Sequence, residues 1–329
     1  MRKGETVLVT GAGGFIGSHL VEALVRQGAG VRAFVRYNSR QDWGLLSHLD
    51  PALLAQIEVI AGDLRDAAAV EQAMRGVTVA FHLGALIAIP YSYVHPDEVV
   101  AVNVLGTLNV LNAARRCSIE RLVHTSTSEV YGTARYVPMD EGHPLQGQSP
   151  YSASKIGADK LAESYWRSFG LPVVTVRPFN TYGPRQSTRA VIPTIITQAL
   201  TAERVMLGSL APRRDFTFVS DTVAGFLKAA DAPDAGGTTL NLGTGRDVSI
   251  EEVAQMIFAI VGRPLEIAID AERVRPKESE VDRLCSDSAL AAQVLGWRPQ
   301  VSLEEGLTRT IAWMREHIAD FRRVGQYTV

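Results

Sequence analysis

Two segments of this chain carry side chains that can move protons together. YSASK places Tyr151 and Lys155 four residues apart, so on a helix both lie on one face. A phenol with an ordinary pKa of about 10 is a poor base at neutral pH. An ammonium within a few ångströms favours the phenolate and lowers that value. Upstream, HTSTSEVYG (residues 124–132) brings Thr127, Ser128 and Glu129 to the end of a short apolar run. A carboxylate just past a buried strand is costly unless something uses it.

A third segment points to a cofactor. TVLVTGAGGFIG sets Gly11, Gly14 and Gly17 between a strand and a helix, a GxxGxxG variant of the dinucleotide fingerprint. Gly11 permits the tight turn, Gly14 lets the backbone approach a pyrophosphate, and Gly17 allows close packing of helix on strand. NAD sites usually end the second strand with an acidic residue on the ribose 2′-hydroxyl. Here that strand ends VRAFVRYNSR, with Arg36 near that place and Arg40 close by. A guanidinium suits a 2′-phosphate, so NADP is expected over NAD; the plainer alternative leaves Arg36 solvated. In GDLRD, Asp63 is placed to accept from an adenine amino group with Leu64 on the ring, or to cap the helix that begins near Asp66.

These residues need elements to hold them. Thr6–Thr10, Val31–Val35, Ile57–Ala61, Val77–Leu83, Arg121–Thr125 and Val173–Val176 read as short, apolar strands. Ser18–Gln27, Val99–Cys117 and Tyr151–Phe169 read as helices between them. That alternation predicts an α/β fold, a doubly wound parallel sheet of the Rossmann kind. After Arg177 proline, glycine and clustered charge break the rhythm, and only Ser249–Val261 and Leu303–Ile318 read as good helices. The expected division is a dinucleotide-binding domain over 1–176, rejoined by 241–262. The remainder of 177–329 is a smaller, irregular α/β region over the strand ends that binds substrate.

Composition narrows the class. The 329 residues are 46% hydrophobic and 21% charged, with net charge −2. A balance so near neutral gives no electrostatic case for nucleic acid. Cys117 and Cys285 lack metal-ligand spacing and read as buried thiols. His82 and His124 read as satisfied core residues, so no metal is expected. No apolar h-region opens the chain and no run approaches about 18 apolar residues, so a cytoplasmic protein without a membrane span is expected.

GAGGFIG, GDLRD, NVLGT (Asn103–Thr107), TSTSEVYG, YSASK and RPFNTYGP occur in the order seen in extended short-chain dehydrogenases/reductases. The chain resembles that family over essentially its whole length. The resemblance implies an NAD(P)-dependent enzyme acting on a nucleotide-linked sugar, with Tyr151 as general base, Lys155 as its modulator and Thr127 on the sugar 4-hydroxyl. It adds Phe15, Ile16, Leu83, Ala85, Asn103 and Thr125 to the cofactor residues. Asn180, Arg214 and Arg275 would contact phosphate or ribose, Val191–Pro193 the nucleotide, Ile87, Pro90 and Tyr91 the sugar, and Asn241 the substrate. Arg214 beside Asp215 and Arg275 near Glu278 are alternatively surface ion pairs, and the 87–91 stretch plain core.

Glu129 then has a role. Family dehydratases carry Glu at this position, where it removes the C5 proton of a 4-keto sugar and expels the 6-hydroxyl; epimerases generally lack it. Thr127-Ser128-Glu129 resembles the GDP-mannose dehydratase triplet, whereas deoxythymidine-linked glucose dehydratases have Asp in the middle as acid. UDP-glucuronate decarboxylases share Thr-Ser-Glu but use a later arginine, and Leu284 stands at its expected place with Arg283 one residue off. FVRYNS, LIAIPYSY, TSTSEVYGTARYVP, HPLQGQSPYSASKIGADKLA and RAVIPTIITQAL resemble the 4,6-dehydratases of legionaminic acid pathways, which act on UDP- or GDP-linked N-acetylglucosamine. The expectation is such a dehydratase. The alternatives are a decarboxylase, a 4-epimerase or a non-enzymatic NADP-sensing regulator. The resemblance also implies a homodimer through a four-helix bundle from Val99–Cys117 and Tyr151–Phe169, with Leu105, Leu108, Leu111, Leu161 and Tyr165 on that face or in the core.

Overall fold

The computed structural model describes residues 4–40 and 42–321. Seven strands form a central sheet: β1 (Thr6–Thr10), β2 (Gly30–Arg36), β3 (Ile57–Gly62), β4 (Val79–His82), β5 (Arg121–Thr125), β6 (Val173–Pro178) and β7 (Thr239–Leu242). Their order is β7-β6-β5-β4-β1-β2-β3, and every neighbouring pair is parallel. The order reverses between β1 and β4, and ligands of open α/β sheets bind outside the carboxyl ends at such a point.

Both faces of the sheet are covered, which is why its strands read as continuous apolar runs. Val7 and Val9 pack on the Phe15–Arg26 helix through Leu20, Val21 and Leu24. Leu8, pointing the other way, packs with Val70, Ala73, Val110 and Leu111 on the opposite face. The Pro150–Phe169 helix begins at a capping box, in which Ser149 accepts from the Ser152 amide and Ser152 from the Ser149 amide. Pro150 sits in the first turn, where a missing N–H costs nothing, and Gly170 closes the helix in the left-handed conformation.

The third long helix runs without a break over 96–116, but Ala101–Leu105 is a π turn. Of the five apolar residues expected at a dimer face or in the core, Leu111 and Tyr165 are core, Leu108 and Leu161 flank it, and Leu105 is 53% exposed.

Beyond β6 the structure departs from the expectation. Two further helices, Val191–Thr201 and Val219–Asp231, join Ile250–Val261 and Leu303–Glu316. VIPTIITQALT carries proline and β-branched residues that lower helix propensity, yet Ile192, Ile195, Ile196 and Ala199 are buried and packing decides. Of the stretch 241–262, Asn241 and Leu242 lie in β7, whereas Ile250–Val261 packs on Val191–Thr201 and Leu303–Glu316. Two-stranded pairs of short strands complete this region. One apolar core runs from β1 through Phe226 and Leu240 to Ile257 and Ile311. Among the described residues no helix is long and apolar enough to cross a membrane.

Candidate active site

The glycine turn behaves as its spacing requires. Gly11 has φ +67°, and a Cβ there would lie 2.7 Å from the Gly84 amide nitrogen. A Cβ on Gly17 would lie 2.2 Å from the Gly11 carbonyl oxygen. Gly14 starts the helix with no side-chain cap, so the first-turn amides of Phe15 and Ile16 have no side chain over them; such a terminus favours an anion. Leu83 and Ala85 follow β4, and Asn103 pins that connection by accepting from the Leu86 amide (2.8 Å) and donating to the Leu86 carbonyl (2.9 Å). Asn103 also donates to Ser154 (2.9 Å), tying the cofactor wall to the Tyr151 helix. Thr125 Oγ1 at the end of β5 is buried without a protein partner. Together the glycine cradle and this orphan hydroxyl fit a nicotinamide dinucleotide.

At the adenosine end the Arg36 side chain is largely exposed, as its plainer alternative has it, with Nη2 3.3 Å from Glu98 Oε1. Asp63 does not cap a helix; Asp66 caps Ala67–Met74, and Asp63 pairs with Arg65 at 2.6 Å. Leu64 is buried beside it, its carbonyl accepting from Asn109.

Tyr151 and Lys155 are 6% and 4% exposed on the inner face of their helix. Burial pushes the Tyr151 phenol up, a hydrogen bond with Thr127 opposes it, and the Glu129 and Asp159 charges add to the rise. The lowering expected from Lys155 is not seen here: burial dominates the phenol, and Lys155 Nζ donates to the Thr125 carbonyl at 2.6 Å. Burial also lowers Lys155 to about 8, with Asp159 opposing.

Asp159 was not anticipated, although it lies four residues beyond Lys155 on the same helical face. Its carboxylate accepts from Ser126 (2.7 Å) and from Arg177 Nε and Nη2 (3.1 and 3.0 Å), and lies 3.2 Å from His124 Nε2. Burial alone would raise Asp159; the His124 hydrogen bond and the Arg177 charge overcome it and hold the carboxyl below its ordinary value. Arg177 also donates to the Tyr131 hydroxyl (2.9 Å), which donates to Asn241 Oδ1 (2.7 Å). Asn241, fully buried, spends its amide on the Met139 carbonyl (3.0 Å), so it supports the floor of the site and offers nothing to substrate. His82 lies between Thr10 (2.8 Å) and Thr107 (3.0 Å) and burial keeps it neutral.

Thr127 caps the Ser128–Tyr131 turn by accepting from the Glu129 amide (3.2 Å). Glu129 is half-buried, and its charge acts on Tyr151 and on Arg214. Arg214 is 6% exposed and pairs with Glu280 at 3.2 Å, not with Asp215, which is saturated by Thr244, Gly245 and Ser286. Arg275 lies 3.6 Å from the same Glu280 oxygen, not on Glu278, and its Nη1 has no hydrogen-bond partner. Two guanidiniums thus share one carboxylate, and Asn180 Oδ1 is likewise buried and unpartnered. That surplus of positive charge suits a phosphate.

Val191 opens its helix half-buried. Ile87 is 68% exposed, and the Tyr91 hydroxyl donates to Glu98. Leu284 is fully buried and Arg283 is paired with Asp247, so neither presents a guanidinium to this cleft.

Comparison with known proteins agrees with this geometry. The GDP-mannose 4,6 dehydratase family model matches residues 8–310. A UDP-glucose 4-epimerase from Mycolicibacterium smegmatis is 35% identical, covering 94% of this chain and 98% of its own. A dTDP-glucose 4,6-dehydratase from an Actinoplanes species is 34% identical, covering 94% and 97%. The structure of DesIV, a dTDP-glucose 4,6-dehydratase from Streptomyces venezuelae with NAD and TYD bound, matches with TM-score 0.86 at 30% identity, covering 95% and 98%. The chain belongs to the GDP-mannose 4,6 dehydratase family, among the extended short-chain dehydrogenases/reductases.

Proposed function

We propose that the protein is a nucleotide-sugar 4,6-dehydratase. The observation that carries this reading is Glu129, a carboxylate whose charge reaches both the phenol of Tyr151 and the phosphate-seeking Arg214. A nicotinamide held at the glycine turn would supply the hydride chemistry, acceptor for the C4 hydrogen and donor at C6. Tyr151 takes the proton from the 4-hydroxyl, with Thr127 holding that hydroxyl. The 4-ketone acidifies C5, and Glu129 removes the C5 proton. Ser128 is no acid, so Glu129 hands that proton to the departing 6-hydroxyl, which leaves as water.

Two protons come off, from O4 and C5, and two go on, to the leaving oxygen and back to C5. Because the product keeps its ketone, the proton gained by Tyr151 must end at C5 through Glu129 or solvent.

The sugar we propose is N-acetylglucosamine carried on UDP or GDP. The support is the likeness of residues 34–39 and 86–93 and of the loop before Tyr151 to legionaminic-type dehydratases. An NADP preference needs Arg36 to meet a 2′-phosphate; its pairing with Glu98 and the NAD held by DesIV do not support one. Exposed Val100 and Leu105 on the 96–116 helix support the homodimer proposal. Leu105→Glu should halve the mass seen by light scattering, and an unchanged dimer would remove that helix from the interface.

A 4-epimerase is the second reading, favoured by the 35% identity to the Mycolicibacterium enzyme. Incubation with UDP- and GDP-N-acetylglucosamine separately, without added reductant, decides by mass spectrometry. Loss of one water from either identifies the dehydratase and its nucleotide. Unchanged mass with a changed sugar configuration would replace it with the epimerase.

A further inference from the structure

Arg36 closes β2, the strand whose end meets the adenosine ribose in dinucleotide folds. No acidic residue stands beside it on that strand. A carboxylate nevertheless reaches it from elsewhere: Glu98, on the Pro96–Val100 helix that follows β4. In the sheet β4 and β2 flank β1, the strand that carries the glycine turn. The Arg36–Glu98 pair therefore links the two sides of the strand on which a dinucleotide would sit. Tyr91 donates its phenol to the other oxygen of Glu98, which fixes the carboxylate from behind. At the next strand end Asp63 and Arg65 satisfy each other at 2.6 Å. The four charges at this end sum to zero: Arg36 and Arg65 against Asp63 and Glu98.

A site selective for a 2′-phosphate keeps a guanidinium free to fork onto it. Here the guanidinium that closes β2 is already engaged. We propose that Glu98 sets the choice between NAD and NADP, standing in for the acidic residue that β2 lacks: it occupies Arg36 and so withholds that guanidinium from a 2′-phosphate. This rests on the reading that the glycine turn holds a dinucleotide.

Calorimetric titration of the purified chain with NAD and with NADP tests it, in the wild type, Glu98→Gln, Arg36→Ala and the double variant. The Arg36 side chain is largely exposed and that of Glu98 about one quarter exposed, and thermal unfolding of each unliganded variant confirms folding. Glu98→Gln should shift the NADP-to-NAD affinity ratio toward NADP by about tenfold, the scale of one charged hydrogen bond. In the Arg36→Ala background that shift should vanish. A ratio unmoved by Glu98→Gln, or a shift that persists without Arg36, overturns the proposal and leaves the dinucleotide site standing. Binding of neither dinucleotide by the wild type overturns both.

Discussion

At the reaction end of the cleft, Lys155, Asp159 and Arg177 hold their charges at 4–5% exposure. At the adenosine end the side chains of Arg36 and Arg65 keep 68% and 43% of their surface in solvent. Both ends contain paired guanidiniums and carboxylates, but water weakens only the second. Buried charges hold their neighbours in place and cost several kcal/mol when a partner is lost; exposed pairs contribute about 0–1 kcal/mol. The reaction end is therefore built to be rigid, and the adenosine end can change what it recognises without endangering the fold.

Substitutions should separate the two ends by size of effect. Tyr151→Phe removes the group proposed to take the O4 proton. Turnover on the true substrate should fall by roughly 10³-fold or more with dinucleotide affinity unchanged; a fall of less than tenfold would mean another base acts. Glu129→Gln should lower water loss by about 10²–10⁴-fold while solvent deuterium incorporation at C5 is lost in parallel; full dehydration by this variant would end the assignment of Glu129.

Asp159→Asn leaves Arg177 buried without its charge partner and should cost about 3–5 kcal/mol in urea unfolding. A cost under about 1 kcal/mol would show that the reaction end tolerates unpaired charge as the adenosine end does. Lys155 keeps its proton to about 8 in the folded chain against an ordinary 10.5. Over that interval the unfolded chain binds more protons, so stability rises with pH and the rise is complete near pH 10.5. Lys155→Met should remove a rise on the order of 3 kcal/mol, read as the difference between the two stability–pH curves. Arg36→Ala, at the other extreme, should change stability by less than about 0.5 kcal/mol.

Where the sheet is regular the chain could be read directly. Thr6–Thr10 and Arg121–Thr125 match their strands end for end, because strands buried on both faces have no choice but apolar runs bounded by turns. Tyr151, Lys155 and Glu129 were legible for the same reason: local spacing places each one. Asp159, Glu98 and Glu280 were not, since each matters through a partner 18 to 66 residues away that only the fold brings near. The Asp159 signal was present in the continued four-residue step from Lys155. The Val191–Thr201 helix was hidden by its own composition, in which burial overrules propensity, and Asn241 looked like a ligand only because its side-chain partners, Tyr131, Met139 and Asp287, lie far off in sequence.

The π turn at Ala101–Leu105 joins these two ends through one helix. A π turn accommodates one residue more than an α turn, and each residue of an α-helix rotates the chain by about 100°. Upstream of the turn Glu98 faces Arg36; downstream Thr107 faces His82. Because the turn itself takes up the extra residue, both contacts are kept across it; a further residue inserted between them would swing Glu98 off Arg36 while Thr107 kept its partner. If Glu98 sets the cofactor choice as proposed, that choice is open to change by an insertion in this helix, in one step and with no substitution at the strand end where it is usually sought.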